Sequence, residues 1–279
     1  MDGTINPLLI PAMLSGTVVG LSLGLTGGGG ALFAVPLLVY WIGVAPPTAV
    51  AISLVTVVVT AAVGTLERWR YGQVEFTTGL VFATAGMITA PLGSWVGDRV
   101  PTQPLLVSFA CLMVVIAVRM WRKAGDPAER LPPALVDAGA GPACRRDPEG
   151  RLRITSRCGT VLAIVGMGVG FLSGLFGVGG GFLIVPALVA FAAMGVPRAV
   201  GTSLFVMMLV GIAAVASQAA SGRTIPIDVA IAFVSGSVPG LLAGSAIGRR
   251  LTGPLLARGF AITIIVVAIV VIIREWLAA

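Results

Sequence analysis

The chain contains no histidine and only three cysteines in 279 residues. Without histidine it lacks the commonest general base, the commonest metal ligand and every triad built on an imidazole. Cys111, Cys144 and Cys158 lie far apart with no CxxC spacing, so the spacing predicts no disulfide framework and no zinc, haem or iron–sulfur ligation. Charge is scarce as well. Only 10% of residues are Asp, Glu, Lys or Arg, against about 25% in an ordinary soluble domain. Eighteen basic and 11 acidic residues cannot clothe a protein of this length in polar surface, which excludes a soluble globular enzyme. What is present is apolar: 57% of the chain is hydrophobic, in several uncharged stretches of about 18 or more residues, as transmembrane segments require. The net charge of +7 does not indicate nucleic acid, because the basic residues stand beside apolar segments and read as orientation signals.

Glycine is abundant, at 38 residues, and its placement exposes an internal repeat. At an offset of 150, Gly16, Gly20 and Gly24 fall on Gly166, Gly170 and Gly174. The same register pairs Gly27, Gly29, Gly30, Val35 and Pro36 with Gly177, Gly179, Gly180, Val185 and Pro186. It continues through Pro47/Pro197, Ala49/Ala199, Val50/Val200, Ser53/Ser203 and Leu54/Leu204, and on to Pro104/Pro254. Each half shows five apolar segments: about 8–25, 31–44, 48–66, 76–97 and 104–121, then about 158–176, 182–195, 199–218, 228–247 and 255–273. The fold expected is an all-α polytopic membrane protein with 8–10 membrane helices. Residues 1–121 and 158–279 form the two repeats, and a polar, Pro- and Ala-rich stretch, 122–157, forms a mobile linker. The second segment of each half is near 14 residues, too short at 1.5 Å per residue for a bilayer core of about 30 Å. It is either a short tilted span or one arm of a re-entrant hairpin.

Nine of the 18 basic residues lie between Arg119 and Arg157, which puts the linker in the cytoplasm. Counting crossings from it places Arg68, Arg70, Arg198, Arg249, Arg250 and Arg258 inside, and Arg99, Arg223 and Arg274 outside. Both termini are then extracytoplasmic. An odd number of crossings per half inverts the second repeat, as in secondary transporters of the inner (cytoplasmic) membrane. The first segment has no basic start and matches the retained segment after Cys158, so it does not read as a signal peptide. All five tryptophans fall near segment ends, as an interfacial belt does.

Two glycine runs, Gly27-Gly28-Gly29-Gly30 and Gly177-Val178-Gly179-Gly180-Gly181, interrupt the apolar pattern. Glycine runs cannot continue a stable helix, and an unwound backbone at membrane depth survives only when buried in protein or lining a cavity. The helix that restarts after each run presents free N–H groups and a positive dipole end, which favour an anion. Gly16, Gly20, Gly24, Gly166, Gly170 and Gly174 have helix-packing spacing instead. Leucine at Gly179 or Gly180 is accordingly expected to harm transport more than leucine at Gly170. No Gly-Lys-Ser/Thr follows either run, which excludes a Walker-type phosphate loop.

The glycine loops and the inverted duplication resemble the TauE/SafE family of sulfite and organosulfonate permeases, over nearly the whole chain outside the linker. The most specific stretch is Gly177-Val178-Gly179-Gly180-Gly181-Phe182-Leu183-Ile184-Val185-Pro186, followed by Ala199-Val200-Gly201-Thr202-Ser203. The first half departs from it, with Ala31 where a third glycine would complete the motif and Ile52 in the place of Thr202. The resemblance implies a permease for sulfite, thiosulfate, a sulfonate such as sulfoacetate, or a related small anion. It does not select among them.

The expected binding residues are the glycines Gly27, Gly28, Gly29, Gly30, Gly177, Gly179, Gly180 and Gly181 together with the hydroxyls of Ser53, Thr56, Thr202 and Ser203, with Gln218 a weaker candidate. Ser and Thr in membrane helices also bond back to their own carbonyls, so two roles stand open for these hydroxyls. Glu67, Glu75, Asp98 and Asp228 lie at segment ends, where solvation accounts for them. No catalytic residue, metal or cofactor is expected. The expected partners are a small anion and the lipid bilayer, with a homo-oligomer allowed and nucleic acid excluded. A non-transporting membrane subunit for cofactor assembly or signalling is the alternative, and uptake into sealed vesicles distinguishes the two.

Overall fold

The computed structural model describes residues 9–124, 145–146, 152–153, 156–176, 181–192, 194–220 and 226–248, with positions 265 and 269. Long runs of Leu, Val, Ala and Ile with few breakers form the helices α1 (Leu9–Thr26), α3 (Pro46–Arg70), α4 (Phe76–Gly97), α5 (Thr102–Ala124), α6 (Ser156–Phe176), α8 (Val196–Ala220) and α9 (Ile227–Gly248). Two short helices, α2 (Ala31–Trp41) and α7 (Gly181–Ala192), follow the glycine breaks. Six helices are long and apolar enough to cross a membrane, and the protein is a polytopic all-α membrane protein. The regular non-helical structure among the described residues is one small hairpin, β1 (Arg145–Arg146) against β2 (Leu152–Arg153). Most of the expected linker and of the tenth apolar segment lies outside the described residues.

The repeat read from the glycines reappears in the helix limits. α1 and α6 end at Thr26 and Phe176, α2 and α7 begin at Ala31 and Gly181, and α3 and α8 span Pro46–Arg70 and Val196–Ala220. Packing exchanges partners between the halves: α1 lies on α9 while α6 lies on α4, and α3 touches α9 while α8 touches α4. The long helices α3 and α8 pack on each other at the centre. Outward-facing Leu14, Ile88, Ile164 and Ile231 on the four surrounding helices are exposed, as a lipid-facing surface requires. Trp41, Trp69 and Trp95 are exposed at the ends of α2, α3 and α4, where an interfacial belt belongs.

Glycine sets the closeness of the outer pairs. A Cβ on Gly16, Gly20 or Gly24 would overlap the backbone of Phe233, Ser237 or Leu241, and one on Gly236, Gly240 or Gly244 would overlap Met13, Thr17 or Leu21. On the α4–α6 side Gly166, Gly170 and Gly174 lie likewise against Phe82, Gly86 and Ala90. Two helix backbones in direct contact gain dispersion energy that lipid cannot replace. In α2, Pro36 has no N–H to give, and Leu37–Trp41 widens into a π-helical turn in which the Ile42 N–H reaches Leu37 O at 3.2 Å. Helix α2 covers only about 16 Å at 1.5 Å per residue, and Ala31 to Pro36 are wholly buried in protein.

One expectation is corrected. Cys158 is buried and disulfide-bonded, although the cysteine spacing predicted no disulfide; separation along the chain does not limit proximity once the chain folds back. Cys111 is free and exposed.

Candidate functional site

The first glycine loop is a compact, hydrogen-bonded break. Thr26 at the end of α1 donates from Oγ1 to Ser22 O at 2.7 Å and accepts the Gly29 N–H at 3.0 Å. The Gly27 N–H still reaches back to Leu23 O at 2.7 Å, but its φ of +75° ends the helix, a conformation glycine adopts without a Cβ penalty. Beyond the break, the N–H groups of Leu32 and Phe33 bond Gly29 O and Gly30 O, each at 3.1 Å. The N–H groups of Gly28, Gly30 and Ala31 make no hydrogen bond to the described residues. All four glycines are buried. Backbone donors left in an apolar interior are costly unless something else receives them.

Absent side chains let this loop meet the other half. A Cβ on Gly28 would fall on the Gly181 backbone, one on Gly181 would meet Met207 and Gly28, and one on Gly27 would overlap Val200. The start of α7, the first loop and α8 therefore converge at one buried point. Gly177, Gly179 and Gly180 lie outside the described residues.

The hydroxyls divide between the two roles left open by the sequence. Thr56 donates to Ile52 O at 2.8 Å, inside its own helix. Ser203 shares its proton between Val200 O, at 2.8 Å, and the carbonyl of Gly27, so it ties α8 to the glycine loop. Thr202, fully buried, accepts the Glu75 N–H at 3.0 Å. Ser53 is fully buried in α3.

The residues that sequence reasoning missed are charged and lie beside these. Arg68, in the last turn of α3, is 6% exposed and donates to Gln73 Oε1 at 2.8 Å. Glu75 accepts Thr78 Oγ1 at 2.8 Å, and Phe76 packs edge-on against Phe205 at 5.1 Å between centroids, fixing the start of α4 on α8. Ser245 of α9 lies 2.7 Å from both carboxylate oxygens of Glu67. Solvation alone therefore does not describe Glu67 or Glu75. A charge at a helix end reads from sequence as a membrane-surface marker; only the packing of α3 against α8 shows that Arg68 turns inward.

A duplicated bundle of membrane helices, with buried backbone donors where its halves meet, is the construction of a membrane transporter. The chain belongs to the sulfite exporter TauE/SafE family, whose model matches residues 12–271. It is 34% identical over 272 residues to a probable membrane transporter protein of Xylella fastidiosa strain Temecula1, covering 96% of each chain. It is 28% identical to the probable membrane transporter protein YunE of Bacillus subtilis, covering 88% of each. A probable membrane transporter protein of Haemophilus influenzae is 27% identical, over 94% of this chain and 97% of that one. No solved structure matches.

Proposed function

We propose that this chain is a secondary transporter for a small sulfur-containing or organic anion, such as sulfite, thiosulfate or a sulfonate, and not an enzyme. It works by alternating access between two inverted repeats in the cytoplasmic membrane. The observation that carries this reading is the buried break at Gly27–Gly30, which meets Gly181 from the other half and whose Gly28, Gly30 and Ala31 N–H groups make no hydrogen bond to the described residues. Desolvating an anion costs far more than one hydrogen bond returns, so several neutral donors must converge on it. The loop N–H groups, their counterparts around Gly177, Gly179 and Gly180, and the hydroxyls of Ser53 and Thr202 form that set. Thr56 lines the same face, and Ser203 shapes the loop through the Gly27 carbonyl. Labelled sulfite, thiosulfate, sulfoacetate, taurine and a carboxylate offered to proteoliposomes test the reading. Saturable movement of at least one oxyanion is expected, and movement of none overturns it.

Removing the Ser203 hydroxyl frees the Gly27 carbonyl and unpins the loop. Ser203→Ala should raise the half-saturating anion concentration about 5- to 150-fold, the equivalent of about 1–3 kcal/mol for one buried hydrogen bond. Ser108→Ala, exposed on α5 and bonded to Leu105 O at 2.9 Å, should change it little. Equal effects would remove Ser203 from the binding mode.

We further propose that the linker is cytoplasmic and both termini are outside, which the distribution of the 18 basic residues supports. Cysteines introduced near position 140 should react with an impermeant thiol reagent only from the cytoplasm, and those near 3 and 278 only from outside. Termini labelled from opposite faces would mean an even number of crossings and end the inverted arrangement.

A further inference from the structure

Arg68 and Gln218 stand 150 residues apart, at equivalent places in the last turns of α3 and α8. A long polar side chain at the end of a membrane helix ordinarily snorkels outward to headgroups or water. Trp69 and Arg70 are exposed in this way. Arg68 and Gln218 are not, at 6% and 3% exposure. Arg68 gives one N–H to the neutral amide of Gln73, and a Cβ on Gly201 would stand 3.2 Å from Arg68 Cβ. The next residue, Thr202, takes the Glu75 N–H on its oxygen and makes no hydrogen bond as a donor among the described residues. On either side, Val200 and Ser203 hold Gly27. Four consecutive residues of α8, Val200 to Ser203, thus lie between the base of the Arg68 side chain and the glycine loop. The other half has Ile52 in place of Thr202 and, at its end, a Gln218 Oε1 with no hydrogen-bond partner among the described residues.

We propose that Arg68 is an anion-binding residue at one end of the route through the glycine loops, and that Gln218 marks the other, uncharged end. The inference rests on the transport reading. A guanidinium presents a planar fork of donors that matches two oxygens of a sulfonate or sulfite, which a carboxamide does more weakly and without charge. The Glu75 carboxylate, held by Thr78 in the same cluster, competes with an arriving anion and keeps it releasable, as passage through a site requires. Coupling of affinities in a carrier without an energy source cannot move the final distribution. The asymmetry therefore appears in the half-saturating concentration at each face. On the topology proposed above, the Arg68 face is cytoplasmic, which suits capture of the anion for export.

The test uses full-length protein in proteoliposomes, with orientation fixed by an impermeant thiol reagent acting on Tyr71→Cys, an exposed position at the Arg68 end. The parent should show a lower half-saturating concentration of whichever panel anion it carries on the Arg68 face than on the other. Arg68→Gln should raise it on that face about 10- to 100-fold, the range for one hydrogen bond to a charged group, and leave the far face nearly unchanged. Arg68→Lys should retain much of the affinity, and Gln218→Arg should lower the value on the far face. Parent-like values for Arg68→Gln on both faces would overturn the assignment, as would symmetric values in the parent. If Arg68→Gln does not fold, failure of Gln218→Arg to strengthen binding on its face overturns it instead. A parent that moves none of the anions would sink the transport reading itself, and this inference with it.

Discussion

Gly20→Leu should yield no folded protein at all, while Gly168→Leu should insert, purify and melt as the parent does. Both glycines lie in apolar helices, so composition does not separate them. Gly20 faces α9, where even a single Cβ would overlap the Ser237 carbonyl, and Gly16 and Gly24 make the same approach one turn away on either side. A leucine there must push two backbones apart along their whole contact, which removes dispersion contacts that lipid does not repay. Overpacking a core commonly costs about 1–3 kcal/mol, and here the obstructing atoms are backbone that cannot change rotamer. Gly168 has nothing within 4 Å of its Cβ position and faces outward. Detergent-solubilised yield and thermal unfolding of the two variants check this, and equal behaviour would mean that α1 and α9 do not touch as described. The structure also changes the control chosen from sequence: Gly170 lies on the Gly86 backbone, so Gly170→Leu is expected to fail at folding rather than to serve as a mild comparison.

Gly28→Ala should keep the fold and lose transport to the background of empty vesicles. Gly28 is outside both glycine-packed helix pairs, so insertion and assembly do not depend on it. Its added methyl would fall on the backbone of Gly181, and the loop is buried on all sides, leaving no outward rotation as relief. The two halves must separate or the loop must turn, and either displaces the donors of Gly28, Gly30 and Ala31 from a common point. Gly43→Ala is the matched control. That residue has a left-handed φ, +78°, which Gly28 does not share, but open space around its Cβ position; alanine there costs only backbone strain of about 1–2 kcal/mol, and the variant should transport. Parent-like flux through Gly28→Ala would detach the loop from transport.

Much of the architecture was legible in the sequence because the bilayer imposes length and composition on each span. The apolar runs located α1, α3, α4, α6, α8 and α9 to within a few residues, and the glycine runs marked where α1 stops and α2 and α7 begin. The packing role of Gly16, Gly20 and Gly24 followed from their four-residue spacing, since that period returns to one helix face. The hydroxyls were less readable. Ser203 and Thr56 occupy corresponding stretches of α8 and α3, yet one bonds across to the glycine loop and the other to its own helix, a choice made by what lies opposite each.

By itself, then, the sequence determined that the chain lives in a membrane, that it is built twice, and where each helix must break, because hydropathy, repetition and glycine's conformational freedom are local properties. Only the tertiary structure decided that Gly28 meets Gly181, that Ser203 clasps the carbonyl of Gly27, and that Arg68 turns inward while its neighbours Trp69 and Arg70 face out. Those outcomes depend on which surface of another helix stands within reach, and residues as far apart in sequence as Gly27 and Ser203 share no local signal that could announce it.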